Sequence, residues 1–93
     1  MYIRVTRGHL DPTRYDELVS MNPDIRAAIT ALPGCQSVQN GGDRTSGNTL
    51  TVTTWDTEEH ARVSRDTALA AIMSRLQAIG AQLNPPEIYD SIP

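Results

Sequence analysis

The sequence contains no lysine, and all eight of its basic residues are arginines. A lysine is needed for an internal Schiff base and for the phosphate contact of a P-loop, so both chemistries are excluded. The arginines are scattered along the chain, and the formal net charge is −3. Because nucleic-acid binding needs a basic stripe or patch, we expect no nucleic-acid partner.

Cysteine and the large aromatic residues are also scarce. The single cysteine, Cys35, cannot form an intrachain disulfide. There is no phenylalanine, and one tryptophan and three tyrosines are the only aromatic side chains of the Phe, Tyr and Trp types. Aliphatic side chains must therefore fill a modest core, and we expect a partner subunit to supply further burial.

Long apolar runs and metal-binding motifs are absent as well. The first residues, MYIRVTRGHL, lack the apolar segment of a signal peptide, and no window approaches eighteen apolar residues. We therefore expect a soluble, cytoplasmic protein without membrane contact. The two histidines are far apart, and no H-x-H, C-x-x-C or H-E-x-x-H motif occurs, so the spacing predicts no metal site. No nucleotide motif is present either, and we expect no cofactor.

The first third of the chain predicts a strand followed by a helical region. Residues 2–9 alternate between the two faces of a half-buried strand. Asp11-Pro12 is typical of a helix start, and apolar residues then recur at helical spacing. Because Pro23 interrupts this pattern, we expect a kink or two short helices, with Asn22 capping the second.

The middle of the chain predicts a β-hairpin. Pro33-Gly34 ends the helical region, and residues 35–41 form a short, polar second strand. The segment 41–48, GGDRTSGN, has the composition of a hairpin connection. Residues 49–55, TLTVTTW, are rich in β-branched side chains and form the clearest strand of the sequence.

The last third predicts a second helix and a final strand. Asp56 and Glu59 have the spacing of a capping box. An apolar stripe follows from Ala61 to Ile79, and Gly80 ends it. Pro85-Pro86 then opens an extended piece, EIYDSI, which predicts a fourth strand at a sheet edge.

This order, β-α-β-β-α-β, is the ferredoxin-like plan of the α+β class, in one domain over residues 1–93. Two helices cover one face of an antiparallel sheet. The other face mixes polar and apolar side chains, and the sheet of a second subunit is its natural cover. We therefore expect a homodimer.

Three segments give the sequence a family resemblance: LPG at 32–34, the TSGN hairpin at 45–48, and TTWDTEEHA at 53–61. With the element order, they resemble the antibiotic biosynthesis monooxygenase-like domains of the dimeric α+β barrel superfamily, over nearly the whole chain. The resemblance implies an α+β barrel built from two subunits. Members that oxygenate polyketide phenols without a cofactor use a cleft between the helices and the sheet.

The resemblance also carries site residues. It implies an aromatic-lined pocket with Trp55 at the matching position, but Thr51 and Ala61 stand about where the family has an asparagine and a tyrosine. The haem-degrading branch of the superfamily needs an asparagine, a tryptophan and a histidine. Those places hold Arg7, Ser64 and Ser74, which disfavours haem degradation.

Trp55 and His60 are the main candidates for a site. Trp55 either plugs the core or also forms the wall of a pocket. His60 lies one helical turn after Asp56, which could fix the imidazole tautomer and leave the other nitrogen to act as a catalytic base. The alternative is a surface histidine beside an acidic helix start. We expect His60 at the rim of a cavity that Trp55 walls.

Three further residues are candidates for substrate contact. Arg4 and Arg7 lie on opposite faces of the first strand, and either could anchor an anionic substrate or form an intersubunit salt bridge. His9, where the strand enters a turn, is either a substrate contact or a solvated loop residue. We assign substrate binding to Trp55, Arg7 and His9.

Two functions fit these observations. The first is a cofactor-independent monooxygenase, or a related oxidoreductase, acting on a small aromatic or polyketide-like molecule. It needs a substrate with an acidic hydroxyl, a base, and a water-poor pocket that stabilises the resulting anion. The second is a dimeric module without catalytic activity that binds a small ligand or only assembles. A closed cavity that holds Trp55 and a histidine together would favour the first.

Overall fold

The computed structural model describes residues 1–62 and 67–92 of the chain. Five strands, three α-helices and a short 3-10 helix follow one another along these residues. In chain order they are β1 (Tyr2–His9), a 3-10 helix (Pro12–Arg14), α1 (Tyr15–Thr30), β2 (Cys35–Gly42), β3 (Asn48–Trp55), α2 (Glu58–Arg62), α3 (Thr67–Ala78), β4 (Gln82–Leu83) and β5 (Glu87–Asp90).

The strands form one antiparallel sheet in the order β2-β3-β1, with β4 and β5 end to end along the outer edge of β1. Strands β1 and β3 pair over their whole length, from Tyr2 opposite Trp55 to His9 opposite Asn48. This is the α+β, ferredoxin-like arrangement that the sequence predicts, and the prediction is confirmed. The last strand differs in detail, because Asn84, Pro85 and Pro86 divide it and the first piece was not predicted.

The sequence left two outcomes open at Pro23, a kink or two short helices, and the division into two helices is wrong. Helix α1 runs through Pro23, and Asn22 is an interior residue of it. Proline cannot donate a hydrogen bond to the carbonyl four residues earlier, here that of Val19. Both Val19 and Pro23 are exposed, so this carbonyl lies on the solvent side of the helix. The helix therefore tolerates the lost bond.

Helix α2 begins differently from the predicted capping box. The hydroxyl of Thr57 accepts a hydrogen bond from the backbone N–H of His60 (3.1 Å), so Thr57 caps the helix and Asp56 does not. The predicted end at Gly80 is confirmed, since Gly80 has φ +80° and the N–H of Ala81 binds the carbonyl of Leu76. This pattern is a Schellman motif, which glycine favours.

The core lies between the helices and one face of the sheet. Its buried members are mostly aliphatic, as the composition requires, and Trp55 is the one large aromatic side chain among them. They are Ile25, Ile29, Leu32, Val38, Trp55, Ala61, Ile72 and Leu76. Within the described part of the chain, no helix is long and apolar enough to cross a membrane.

Gly47 closes the β2–β3 connection onto the rest of the fold. It has φ +80° and is buried, and its carbonyl accepts a hydrogen bond from the backbone N–H of Leu10 (3.0 Å). A Cβ at this position would collide with the Leu10 carbonyl oxygen. Glycine is therefore required here by both conformation and space.

We expect Gly47→Ala to lower the free energy of unfolding by about 2–4 kcal/mol, because the left-handed conformation and the collision with the backbone add. Gly41→Ala is the matched control, since a Cβ there meets nothing within 4 Å. We expect it to change stability by less than about 1 kcal/mol. Urea unfolding of both variants measures the difference, and equal midpoints would contradict the role of Gly47.

Candidate functional site

A cavity of about 360 Å³ lies between the helices and the sheet. Its roof is apolar and comes from the faces of α1 and α3 that point toward the sheet. The roof residues include Leu18, Ile25, Ile29, Ile72, Met73 and Leu76. Residues of the segment after α3, from Ala81 to Pro86, line one end. Ligand pockets in proteins typically have this volume and this predominantly apolar lining.

The floor of the cavity is polar, which is unusual for the covered face of a sheet. Alternate residues of β1 and β3 and one residue of β2 point toward the helices, because successive strand side chains point to opposite faces. These residues are Arg4, Thr6, Asn40, Thr49, Thr51 and Thr53. The register places Asn40, Thr51 and Thr6 in one row across the three strands.

Trp55 forms a wall of the cavity at the end of β3. Only 1% of its surface is exposed, and its indole N–H donates a hydrogen bond to the hydroxyl oxygen of Thr53 (2.7 Å). The Thr53 hydroxyl in turn donates to the backbone carbonyl of Arg4 (3.5 Å). Both interpretations of Trp55 apply: it belongs to the core, and it also lines the cavity.

Arg4 brings a positive charge to the cavity lining. One nitrogen of its guanidinium, Nη1, donates to the backbone carbonyls of Ala61 (2.9 Å) and Arg62 (2.7 Å), the last two residues of α2. These bonds hold the side chain against the end of α2. Burial lowers the pKa of the Arg4 guanidinium from its usual value. Arginine side chains carry their positive charge at neutral pH in proteins. Arg4 can stabilise an anion that forms on a bound molecule.

Asn40 is a further polar residue of the cavity lining, and the sequence did not single it out. Its Nδ2 donates to the Thr51 hydroxyl (3.0 Å) on the neighbouring strand. Its Oδ1 is buried and has no hydrogen-bond partner among the described residues, and no other described buried side-chain N or O atom is in this state. Buried amide oxygens are nearly always paired, so an unpaired one is unusual.

His60 does not lie where the sequence predicted. It is not among the described residues that line the cavity, so the expected rim position beside Trp55 is wrong. Its Nδ1 instead shares a hydrogen bond with Asp56 Oδ1 (2.6 Å), and both side chains pack against Gly34. This bond lowers the pKa of the Asp56 carboxyl below its usual range. The alternation of β3 turns Trp55 inward, but the turn that follows carries the His60 ring toward the α1–β2 loop.

Arg7 and His9 also lie outside the cavity, on strand β1. Arg7 is exposed on the opposite face of the sheet from Arg4, and its Nε binds the Glu87 carboxylate (3.1 Å). His9 is exposed, and its Nε2 lies 3.0 Å from the Ser46 carbonyl, so it ties β1 to the β2–β3 connection. The structure therefore brings Trp55 together with Arg4 rather than with His9, His60 or Arg7.

The positions considered for haem degradation can be placed in part. Arg7 is on the uncovered face of the sheet, Ser74 is exposed on α3, and Ser64 lies outside the described residues. Within residues 1–62 and 67–92, no group of three histidine, cysteine, aspartate or glutamate side chains is arranged to hold a metal ion.

Sequence reasoning missed Asn40 and undervalued Arg4. Strand alternation placed Arg4 on one of the two faces of β1, but could not tell which face the helices cover. The signal for Asn40 was its place in a polar strand between Val38 and the glycines of the hairpin. Its alignment with Thr51 depends on the register, which a bulge between Cys35 and Ser37 shifts.

No family model and no curated protein matches the sequence. Several solved structures are similar to this chain in fold. A Deinococcus radiodurans protein provisionally assigned as an antibiotic biosynthesis monooxygenase is 16% identical, with a TM-score of 0.83 over 100% of this chain and 94% of that one. A mutant of SnoaB, a cofactor-independent oxygenase from Streptomyces nogalater, is 15% identical, with a TM-score of 0.72 over 97% and 91%.

A third similar structure contains a ligand. It is the monooxygenase from the ActVA-Orf6 gene of Streptomyces coelicolor, in complex with nanaomycin D. It is 20% identical, with a TM-score of 0.71 over 95% of this chain and 82% of that one. At these identities the likeness shows the fold. The chain has the α+β, ferredoxin-like fold of the antibiotic biosynthesis monooxygenase domain proteins.

Proposed function

We propose that the protein binds a small, mostly apolar molecule in the cavity and acts on it as a cofactor-independent monooxygenase or a related oxidoreductase. The observation that carries the proposal is the cavity itself: an apolar roof, a polar floor and the Trp55 wall, on a monooxygenase fold. The similar structures support it, since one is a cofactor-independent oxygenase and another binds nanaomycin D.

Arg4 takes the role that the sequence gave to Arg7. In such a reaction the substrate loses a proton from an acidic hydroxyl, and the resulting anion donates electrons to dioxygen. A guanidinium in a poorly solvated pocket stabilises that anion more strongly than it could in water. The hydrogen bonds from Arg4 to Ala61 and Arg62 fix the charge in place before the substrate arrives.

The second function, ligand binding without catalysis, is favoured by one observation. No histidine, aspartate or glutamate is among the described residues that line the cavity, so none of them supplies a base there. A substrate that is acidic enough can ionise beside Arg4 without one, but a less acidic substrate cannot. The two functions therefore differ in whether a bound phenol consumes oxygen.

Oxygen uptake with phenols and hydroquinones that raise the thermal unfolding temperature separates the two. We expect uptake by the wild type, and we expect Arg4→Met to reduce its kcat by about 100-fold or more, the usual effect of removing one anion-stabilising donor. Arg4→Lys keeps the charge and should retain more of the rate. Thermal unfolding of both variants controls for the lost contacts to α2.

If the wild type binds such a compound but consumes no oxygen, the result supports the non-catalytic function. Unchanged kcat in folded Arg4→Met would contradict the role of Arg4. If no such compound raises the unfolding temperature, the cavity is not a site for this class of ligand. At 100 times the dissociation constant, specific binding should add about 2.7 kcal/mol of stability.

We also propose that two copies of the chain pair through the sheet face away from the cavity. Ile3, Val5 and Val52 lie on this face, and none of them belongs to the core cluster or packs against it. Val5 and Val52 are direct cross-strand partners, which makes the apolar patch continuous. Covering such a face with a second sheet buries these side chains without exposing a new edge.

Sedimentation equilibrium at micromolar concentration tests this pairing. We expect the mass of a dimer for the wild type and that of a monomer for Val52→Arg, because a buried unpaired charge at the interface is costly. Val19→Arg is the matched control, since Val19 is 49% exposed on α1, away from this face. A monomeric wild type, or equal masses for both variants, would refute the pairing.

A further inference from the structure

Gly8 lies on the cavity face of β1, because it follows Arg4 and Thr6 at intervals of two residues, yet it is not among the described residues that line the cavity. Its direct partners across the sheet are Leu83 on β4 and Thr49 on β3, and both of these do line the cavity. Directly opposed residues of antiparallel strands point to the same face. Leu83, Gly8 and Thr49 therefore form one row across the covered side of the sheet.

The side chains of Leu83 and Thr49 occupy the space above Gly8. A Cβ placed on Gly8 would lie 2.7 Å from Leu83 Cδ2 and 2.7 Å from Thr49 Oγ1, whereas ordinary van der Waals contacts are 3.4–4 Å long. The backbone carbonyl oxygen of Gln82 would lie 3.0 Å away. A methyl group of Leu83 therefore rests on the bare backbone of β1, a close approach that a glycine within a strand permits.

This contact puts Leu83 partway along the cavity. Arg4 precedes Gly8 by four residues on the same face of the same strand, so roughly 13 Å of strand separate the two. Leu10, which follows Gly8, is almost fully buried and also lines the cavity. By its place along β1, Leu83 stands between the Arg4 part and the Leu10 part of the cavity. It is half-buried and packs against the core cluster, which holds it there.

We propose that Leu83 is a specificity-determining residue, which limits the length of the apolar tail that a ligand anchored at Arg4 can extend along β1. This inference rests on the proposed binding function, and the ligand it describes has an acidic head and a short apolar tail. Each tail methylene that leaves water should raise the affinity by about fourfold. A tail that reaches Leu83 must displace a packed side chain, and such overpacking is unfavourable.

The test uses 4-n-alkylphenols with tails from ethyl to heptyl, whose binding is measured by isothermal titration calorimetry. We expect the affinity of the wild type to rise with tail length and then to fall beyond one length, the break. Leu83→Ala removes about three carbon atoms, so the break should move to tails longer by about two to three carbons. Leu83→Val removes about one carbon and should move the break by about one.

Ile79→Ala is the matched control. Like Leu83, Ile79 is half-buried and packs against the core cluster, but it is not among the described residues that line the cavity. Its truncation loosens the packing of the core without opening space beside Gly8. We therefore expect Ile79→Ala to keep the break of the wild type.

The outcomes separate this inference from the function on which it rests. The same break in the wild type and in both Leu83 variants would overturn the role of Leu83 and leave ligand binding in place. A steady rise of the wild-type affinity through heptyl, or an equal shift of the break in Ile79→Ala, would also overturn it. Binding of none of the phenols would overturn both. If Leu83→Ala does not fold, the smaller change Leu83→Val decides the matter.

Discussion

The polarity of the covered sheet face determines much of what this protein can do. Helices α1 and α3 present leucine, isoleucine and methionine side chains, but the sheet offers them three threonines of β3, together with Asn40 and Arg4. The apolar helix residues and the polar sheet residues cannot pack directly against each other without burying unpaired hydroxyl and amide groups, which costs several kcal/mol. Val38 and Trp55 of the sheet belong to the buried core cluster, whereas the polar residues of the floor line the cavity.

Trp55 connects this separation to the fold. Its ring belongs to the same buried cluster as Ala61 and Ile72, and its indole N–H donates a hydrogen bond to the hydroxyl of Thr53, which is 3% exposed. Stability and cavity shape are thus set by the same side chain. A smaller residue at this position would remove core volume and also enlarge the cavity.

The contrast between the two sheet faces is equally informative. Strand alternation gives β1 a cavity face with Arg4 and Thr6, and an outer face with Ile3 and Val5. In a monomer the apolar outer side of β1 would be left in water. A second layer on the outer face would cover it, which is the basis of the proposed pairing.

Much of the fold could be predicted from the sequence, because the signals were local. The β-branched run of β3, the glycines after α1 and α3, and the hairpin composition each indicate one element directly. The continuity of α1 through Pro23 could not be predicted, since it depends on the exposure of the Val19 carbonyl. The short strand β4 could not be predicted either, because its two residues carry no periodic signal.

The candidate site was less predictable than the fold, for a physical reason. Trp55 was found because a lone tryptophan at the end of a strand is conspicuous. His60 was misplaced because proximity along the chain does not determine the direction of a side chain after a turn. Arg4 and Asn40 emerge only from the register and from the choice of covered face, which are properties of the whole sheet.

The central claim is that the cavity bounded by Trp55 is a ligand site, and the fluorescence of that residue tests it directly. Trp55 is the only tryptophan, so tryptophan emission reports on this wall alone. Titration with phenols that raise the thermal unfolding temperature and absorb outside the excitation band should change the emission saturably, with the dissociation constant that thermal stabilisation gives. Saturable stabilisation with no change in Trp55 emission would place the ligand elsewhere, and no saturable response in either measurement would contradict the account.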